Sequence, residues 1–444
     1  MRKSVYSVGL LAVLLLTANL AFAQNGRPLT LEECVKLALD SNSQLLNAER
    51  RVQVAESGVT IARANLLPRV NAGFSSSRSR EVFAETRTVL NAGNLFQTDG
   101  TYYNSHSASI SLNQTVFDFG ATWNSIRQAN STKDASDFTY QSTKQTTISS
   151  VYEGYYQLLK HIRLLEVRRE AVRENEEQLK LTESRYEIGA APQGEVFRTR
   201  TTLGDAKIEL IRQENAVRNS QAALNVVLGR NADAPLDITD LPDVDVTKSY
   251  DMNQVMQKAL QNNPGLRRYD AEMKAASQGV KMARTQFLPT LSLSASYSRN
   301  DPRFDPVYSN FDKTFNARIS ANVSWNLFNG FADKADIDRE AANYRIARES
   351  QIEQERLLRQ RVQQAMLNLE ATREISTLNK DNLVSAEEDL RLAQERYRVG
   401  AGTLLDVITA QFNLTRAKST LISAKYDAKI AEAQLEAAMG TLGQ

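Results

Sequence analysis

Hydrophobic positions along this chain follow three rhythms in succession, and the succession occurs twice. Residues 30–41 open with Thr30 as a candidate helix N-cap and Glu33 three positions later, a capping box. Asn42 and Ser43 interrupt that helix. A second helical run extends from about Leu45 to Leu66 and stops before Pro68, because proline disfavours helical geometry in its predecessor. The period then falls to two. Val70, Ala72 and Phe74 alternate with Asn71, Gly73 and Ser75, and Ala108, Ile110, Leu112 and Val116 alternate with Ser, Asn and Thr. Farther along, Leu291, Leu293, Ala295 and Tyr297 alternate with serines. Phe315, Ala317, Ile319, Ala321, Val323, Trp325 and Leu327 alternate with Asn316, Arg318, Ser320, Asn322, Ser324 and Asn326. Such alternation predicts strands of about 10–13 residues with one apolar and one polar face. Between paired strands, Glu81–Ser105 and Asn300–Lys313 are polar and read as loops, with His106 in a loop or at a strand edge.

The third rhythm is a heptad. Ala121–Glu187 contains no proline and only Gly154, so it predicts one helix about 100 Å long. Val151, Leu158, Leu165, Val172, Leu179 and Tyr186 recur every seven residues, the seam of a coiled coil. Gly189-Ala190-Ala191-Pro192 breaks the helix. A return helix carries Val196, Leu203, Leu210, Val217 and Leu224 and ends at Gly229. In the second round, a helix from about Asp333 carries Val362, Leu369, Leu383, Leu390 and Tyr397. The turn is Val399-Gly400-Ala401-Gly402, and the return helix carries Val407, Leu414, Leu421 and Leu435 before Gly440.

The two rounds align directly. Residues 38–68 match 259–289 without a gap, Leu67-Pro68 falling on Leu288-Pro289, and Arg185-Tyr186-x-x-Gly189-Ala190 matches Arg396-Tyr397-x-x-Gly400-Ala401. The offset shortens between Pro68 and Phe117, so the first copy has the longer excursion between its strands. A repeat of this length is a duplicated domain rather than a stacked solenoid unit. The expected organisation is a leader over 1–23 and a first repeat over 24–229, with its strand pair at about 69–118 and long helical hairpin at about 121–229. A Pro- and Asp-rich connector covers 230–249. The second repeat covers 250–444, with its strand pair at about 290–328 and hairpin at about 331–440.

Charge and composition narrow the function classes. Arg2 and Lys3, the apolar Val8–Leu16 and Ala21-Phe22-Ala23 read as a secretory signal cleaved after Ala23. Without it the formal net charge falls from +2 to 0, which argues against a nucleic-acid partner. Cys34 is the single cysteine and cannot pair within the chain; Leu31, Val35 and Leu39 on the same helical face make it a small core residue. His106 and His161 are the only histidines, neither in a metal-ligand spacing, and no Gly-rich phosphate loop is present. The chain reads as a non-enzyme with no cofactor and no metal.

The strands need an apolar partner that the helices do not supply, since their own apolar stripes face each other. In an exported chain, strands long enough to cross a bilayer point to lipid. Four strands cannot close a barrel, because single-chain outer-membrane barrels start at about 8. Closure demands several chains; three would contribute twelve strands, with the Ser- and Asn-rich faces lining a wet lumen.

The order of these features resembles the TolC-type outer membrane efflux proteins. The residues that carry the resemblance are the paired Leu67-Pro68 and Leu288-Pro289 junctions, and Val116-Phe117-Asp118-Phe119-Gly120 with Leu327-Phe328-Asn329-Gly330. With them go the two Arg-Tyr-x-x-Gly turns and the Gly229 and Gly440 helix ends. The resemblance implies a mainly α fold with membrane β: a long coiled-coil α-helical barrel continuous with a trimeric 12-stranded β-barrel, four strands per chain. It implies a homotrimer in the bacterial outer membrane, in contact with outer-membrane lipid. The trimer would be a passive exit duct that docks to a periplasmic adaptor and, through it, to an inner-membrane pump of an efflux or type I secretion system. It also implicates the tip residues Arg185, Tyr186, Gly189 and Glu195 of the first copy and Arg396, Tyr397, Gly400 and Asp406 of the second. There an acidic ring at the constriction would favour cations, its carboxylates raising one another's pKa. Gly402 and Thr409 depart from the pattern of some members. Asp406 leads to the expectation that the second copy does more of the gating. The rival reading of the residues alone is a soluble periplasmic coiled-coil scaffold or adaptor whose strands form a small sandwich.

Overall fold

The computed structural model describes residues 27–91, 94–239, 249–309 and 311–442; the expected leader and residues 240–248 of the connector lie outside the described residues. The element order is the same in both halves. Helices α1 (Leu31–Ser41) and α2 (Ser43–Ala64) lead into strands β1 (Arg69–Asn91) and β2 (Asn94–Phe117), then α3 (Ala121–Glu187) and α4 (Gln193–Val227). The second half runs α5 (Met252–Asn262), α6 (Pro264–Arg284), β3 (Thr290–Asp301), the short α7 (Phe304–Tyr308), β4 (Phe315–Ser324), α8 (Ala332–Arg398) and α9 (Leu404–Met439).

Local chemistry sets the boundaries. The capping box at Thr30 forms: its hydroxyl accepts from the Glu33 N–H, and the Glu33 carboxylate accepts from the Thr30 N–H. Asn42 caps α2 through the N–H groups of Gln44 and Leu45, and Asn263 does the same for α6 at Leu266. Gly229 and Gly440 end the return helices in the left-handed region, with φ of +73° and +75°. At Gly229 the turn also presses on α1, leaving no room for a side chain beside the Ser41 carbonyl.

The strands form one antiparallel sheet in the order β1-β2-β3-β4, so the two copies are joined by direct β2–β3 pairing. Register carries one apolar face across all four strands. Val70, Leu112, Ala295 and Ile319 form one row, and Ala72, Ile110, Tyr297 and Ala317 the next. The opposite face carries Asn71, Ser111, Ser296 and Arg318 in register. Among the described helices only the short α7 touches this face, at Phe74, and lower down Ile319 is 79% and Val323 70% exposed. Among the described residues neither outer edge, β1 or β4, has a second strand partner.

Two expectations are corrected here. Glu81–Ser105 is not a loop: β1 and β2 run 23 and 24 residues and pair from Arg69↔Asn113 to Asn91↔Asn94, with one irregularity between Val82 and Arg87. Beyond His106 this ribbon pairs only with itself among the described residues, and its sequence keeps no sustained apolar alternation; cross-strand backbone bonds sustain it. His106 accordingly lies within β2. At the other end, β4 stops at Ser324, and Trp325 turns away with its indole N–H donating to the Phe287 carbonyl at 3.0 Å.

Each long helix has 67 residues, but the return helices have only 35 and 36. The sheet-side halves of α3 and α8 pack instead on the helices before the strands: α2 and α6 lie against α3, and α6 also lies against α8. The cores follow this division. Around α1, Cys34, Ala38, Tyr155, Leu158, Leu224 and Leu228 are buried together, and Tyr155 donates to the Thr239 carbonyl at 2.6 Å. Around α5, Val255, Leu358, Val362, Leu369 and Leu435 do the same. Toward the tip, α8 and α9 close on Leu390, Val407, Ala410 and Leu414. The expected seam position Tyr186, by contrast, is exposed.

The contact between the copies has another character. Along α3 and α9, Glu174 accepts from Gln411 at 2.8 Å, Glu170 pairs with Lys418 at 3.2 Å and Lys160 with Asp427 at 2.9 Å. Hairpins hold internally through apolar seams; between them these polar pairs accompany an apolar contact, where Tyr426 and Ile430 of α9 join Tyr155 and Leu158 of α3 and Ala433 meets Ile148.

Candidate functional site at the helical tips

Both tip turns end their long helix in the same way. In the first, the Ala190 N–H donates to the Arg185 carbonyl at 2.7 Å and the Gly189 N–H to the Tyr186 carbonyl at 2.9 Å. In the second, Ala401 donates to Arg396 at 2.9 Å and Gly400 to Tyr397 at 3.2 Å. These are Schellman turns, which need a left-handed residue after the helix; Gly189 and Gly400 supply it at φ +75° and +78°. The Arg-Tyr-x-x-Gly spacing therefore has a backbone explanation at Gly189 and Gly400.

The side chains then diverge. The Arg185 guanidinium stacks 4.5 Å from the Tyr397 ring centroid, and the Tyr397 hydroxyl donates to Glu195 Oε2 at 3.3 Å. Three of the expected residues, one each from α3, α4 and α8, thus meet in a bridge between the copies. Burial pushes the Tyr397 hydroxyl above its ordinary range, and the Glu195 carboxylate adds to this, so the hydroxyl stays protonated and donates. The other expected residues are not part of the bridge: Tyr186 is exposed, and Arg396 acts on Asp406 only through its charge.

Asp406 is engaged locally. Thr403 donates to its Oδ2 from the backbone N–H at 2.9 Å and from the hydroxyl at 2.7 Å, while the Asp406 N–H donates back to Thr403 Oγ1 at 3.3 Å. The Thr403 backbone hydrogen bond, then its hydroxyl, hold the carboxyl below its usual range. Within one chain the local geometry thus acts against the upward shift expected of an acidic ring. The first copy has Pro192 where the second has Thr403, and proline offers no side-chain cap, so Glu195 reaches across to Tyr397. The acid that crosses between the copies is Glu195 of the first copy. The Pro192/Thr403 contrast is the sequence signal for it.

Gly402 has a steric reason. A side chain there would sit 3.0 Å from Arg396 Cβ and 3.3 Å from the Tyr397 nitrogen. Thr409 bonds back to the Leu405 carbonyl at 2.8 Å as an ordinary helix surface residue. Sequence reasoning missed a groove of about 420 Å³ between the hairpins, lined by Arg168, Asn175, Asp205, Glu209, Phe412 and Thr415. Phe412 is 65% exposed in it, an aromatic on the side of α9 away from the Val407–Leu414 seam. Among the described residues no group of His, Cys, Asp and Glu could hold a metal ion.

Comparison with known proteins agrees with this geometry. The family profile described as "Outer membrane efflux protein" matches residues 34–230 and again 255–441. The toluene efflux pump outer membrane protein TtgC of Pseudomonas putida is 26% identical over 416 residues, covering 92% of this chain and 82% of TtgC. The outer membrane protein TolC of Escherichia coli is 24% identical over 417 residues, covering 91% and 80%. The crystal structure of the outer membrane protein VceC of Vibrio cholerae shares the fold, with a TM-score of 0.77 at 18% identity over 92% of this chain and 96% of VceC. The profile spans both halves of the helix–strand–helix unit, and the chain belongs to the outer membrane efflux protein family.

Proposed function

We propose that three copies of this chain close one β-barrel in the outer membrane and continue it as a helical tunnel, with the Arg185–Tyr397–Glu195 bridge holding the tip. The chain's class is that of an outer-membrane efflux channel, a passive conduit rather than an enzyme. The observation that carries the trimer is the sheet: four strands with a continuous exposed apolar face, a polar face and two open edges. A sheet edge in lipid leaves backbone groups without partners, and joining β4 of one chain to β1 of the next removes every edge. The soluble-scaffold reading would leave Val70, Ile110, Ile319 and Val323 in water, an apolar patch without a cover. No described helix is long and apolar enough to cross a membrane, so a membrane crossing falls to the strands.

We read residues 24–229 and 250–444 as two copies of one unit, each giving a barrel hairpin and a tunnel hairpin, joined by 230–249. The tips, with the groove beside Phe412, are the surface offered to a periplasmic adaptor and, through it, to an inner-membrane pump. The relatives' names support export: TtgC is named for toluene efflux. Photo-crosslinking from residues 189 and 400 in cells tests the docking: a periplasmic adaptor should be captured, and capture of no periplasmic protein from either turn would contradict it.

A further inference from the structure

The polar face of the sheet is neutral across most of its breadth, with one charge in its middle. Register sets Arg318 of β4 in a row with Ser296, Ser111 and Asn71, and Arg318 is exposed. The rows on either side add hydroxyls and amides; Ser294 and Ser320, beside the guanidinium, share a hydrogen bond at 3.2 Å. The one further charge in those rows is also a cation. Arg69, at the foot of β1, donates from Nη2 to Asn65 Oδ1 at 2.6 Å.

Among the described residues no acidic side chain answers Arg318 on this face. β4 contains none, and Asp301 of β3 alternates onto the opposite face with Ala295 and Tyr297. Along β1 the first carboxylate is Glu81, ten residues beyond Asn71 and ~33 Å along the strand. The acid of β2, Asp99, belongs to the outer half of the same hairpin. Beneath the sheet, Asp118 is taken by the N–H groups of Gly120 at 3.1 Å and Thr122 at 2.8 Å. In the loop before β4, Asp312 is followed directly by Lys313, and the two offset each other.

Barrel closure turns this one cation into a ring. Arg318 lies six residues from Ser324 at the base, ~15 Å up at ~3.3 Å per residue and a tilt of ~40°. That is mid-depth in an apolar band ~25 Å tall. Three copies of the four-stranded sheet, with strands ~4.8 Å apart, make a wall of radius ~12 Å. The edge of β4 would meet β1 of the next chain, whose polar face has no carboxylate before Glu81. Pairing anywhere against residues 71–79 therefore leaves each guanidinium facing water. The Debye length is ~10 Å in 0.1 M salt, so the three fields reach across the lumen there; at 1 M it is ~3 Å and they do not.

We propose that Arg318 makes the barrel lumen an anion-attracting filter, a ring of guanidiniums in a neutral hydroxyl wall. It favours solutes bearing carboxylate, phosphate or sulfonate groups over cationic ones. The filter rests on the trimeric-barrel reading, and it gives the exit the opposite sign from the acids at the tips, Glu195 and Asp406.

The test uses the full chain reconstituted in planar bilayers, with the reversal potential read across a KCl gradient centred on 0.1 M. Three charges ~12 Å from the axis, screened by that salt, change the anion-to-cation ratio there about threefold. R318Q should therefore lower the chloride-to-potassium permeability ratio about threefold, and R318K should keep it and control for folding. The difference should vanish in a gradient centred on 1 M. An unchanged ratio in R318Q overturns the filter, as does a shift of equal size at 1 M. A local readout separates the barrel from the tips. Cys34 is buried, so Ser296→Cys, opposite Arg318, supplies the reactive thiol. Adding R318Q should lower the rate ratio of an anionic to a cationic methanethiosulfonate at least threefold. A change in that ratio without a change in permeability would show a local charge and no filter, and also overturns the proposal. A chain that stays soluble without detergent would refute the barrel reading itself, an outcome distinct from a pore indifferent to residue 318.

Discussion

Tyr397 is the residue at which the two copies of the repeat meet, and its hydroxyl is the removable part of that meeting. Tyr397→Phe keeps the ring under Arg185 but removes the donor to Glu195. One such bond contributes about 1 kcal/mol, too little to unfold the helices and enough to shift a marginal gate several-fold. Single-channel recording of the reconstituted variant should show a higher mean conductance with an unchanged melting temperature; unchanged conductance would remove the bridge from gating. Asp406 has a signed pH dependence. Thr403 depresses its folded pKa, so its contribution is present above the unfolded carboxyl value and is lost as pH falls through the folded one. Amide protection in the first turn of α9 should hold above the ordinary aspartate range, about pH 4, fall as pH drops below it, and lose that dependence in Asp406→Asn. The glycines separate by space: Gly189→Ala meets open surroundings and should cost about 1 kcal/mol for its positive φ alone. Gly229→Ala would place Cβ 2.4 Å from the Ser41 carbonyl oxygen, so chemical denaturation should show a clearly larger loss. At this scale the sequence identified the turns, through glycine spacing, but not the bridge, since a contact between residues 185, 195 and 397 depends on how two hairpins pack.

The elements were more legible than the contacts. A heptad without proline over 121–187 reads directly as one long helix, and the alternation at 70–74, 108–116, 291–297 and 315–323 reads directly as two-faced strands. Both follow from periods of local geometry. The outer half of the β1–β2 hairpin was illegible for the same reason: residues 81–105 keep no sustained period of two, and Arg, Ser and Thr serve a strand as well as a loop. The sheet makes a sharp prediction. Ile319→Arg puts a charge on the exposed apolar face, and Ser320→Arg puts the same charge one residue along on the polar face. A midplane arginine facing lipid costs about 2–4 kcal/mol, and one facing a water-filled lumen costs little. Outer-membrane recovery should fall strongly for Ile319→Arg and stay near wild type for Ser320→Arg. Equal recovery of the two would mean that the apolar face does not meet lipid.

On the scale of the whole molecule, duplication gives two barrel hairpins and two tunnel hairpins from one chain, held to each other by β2–β3 pairing and by polar pairs and an apolar contact between α3 and α9. The doubling was legible because Leu-Pro junctions and Arg-Tyr-x-x-Gly turns recur at nearly constant offset. The division of labour along α3, with α4 on one half and α2 and α6 on the other, was not, because helix length alone does not say which neighbour fills a seam. The account stands on closure of one barrel by several chains. Its most direct test is the mass of the detergent-extracted outer-membrane species by native mass spectrometry. Three chains in one particle, with no stable monomer, is the predicted result; a monodisperse single chain in the membrane extract would contradict it.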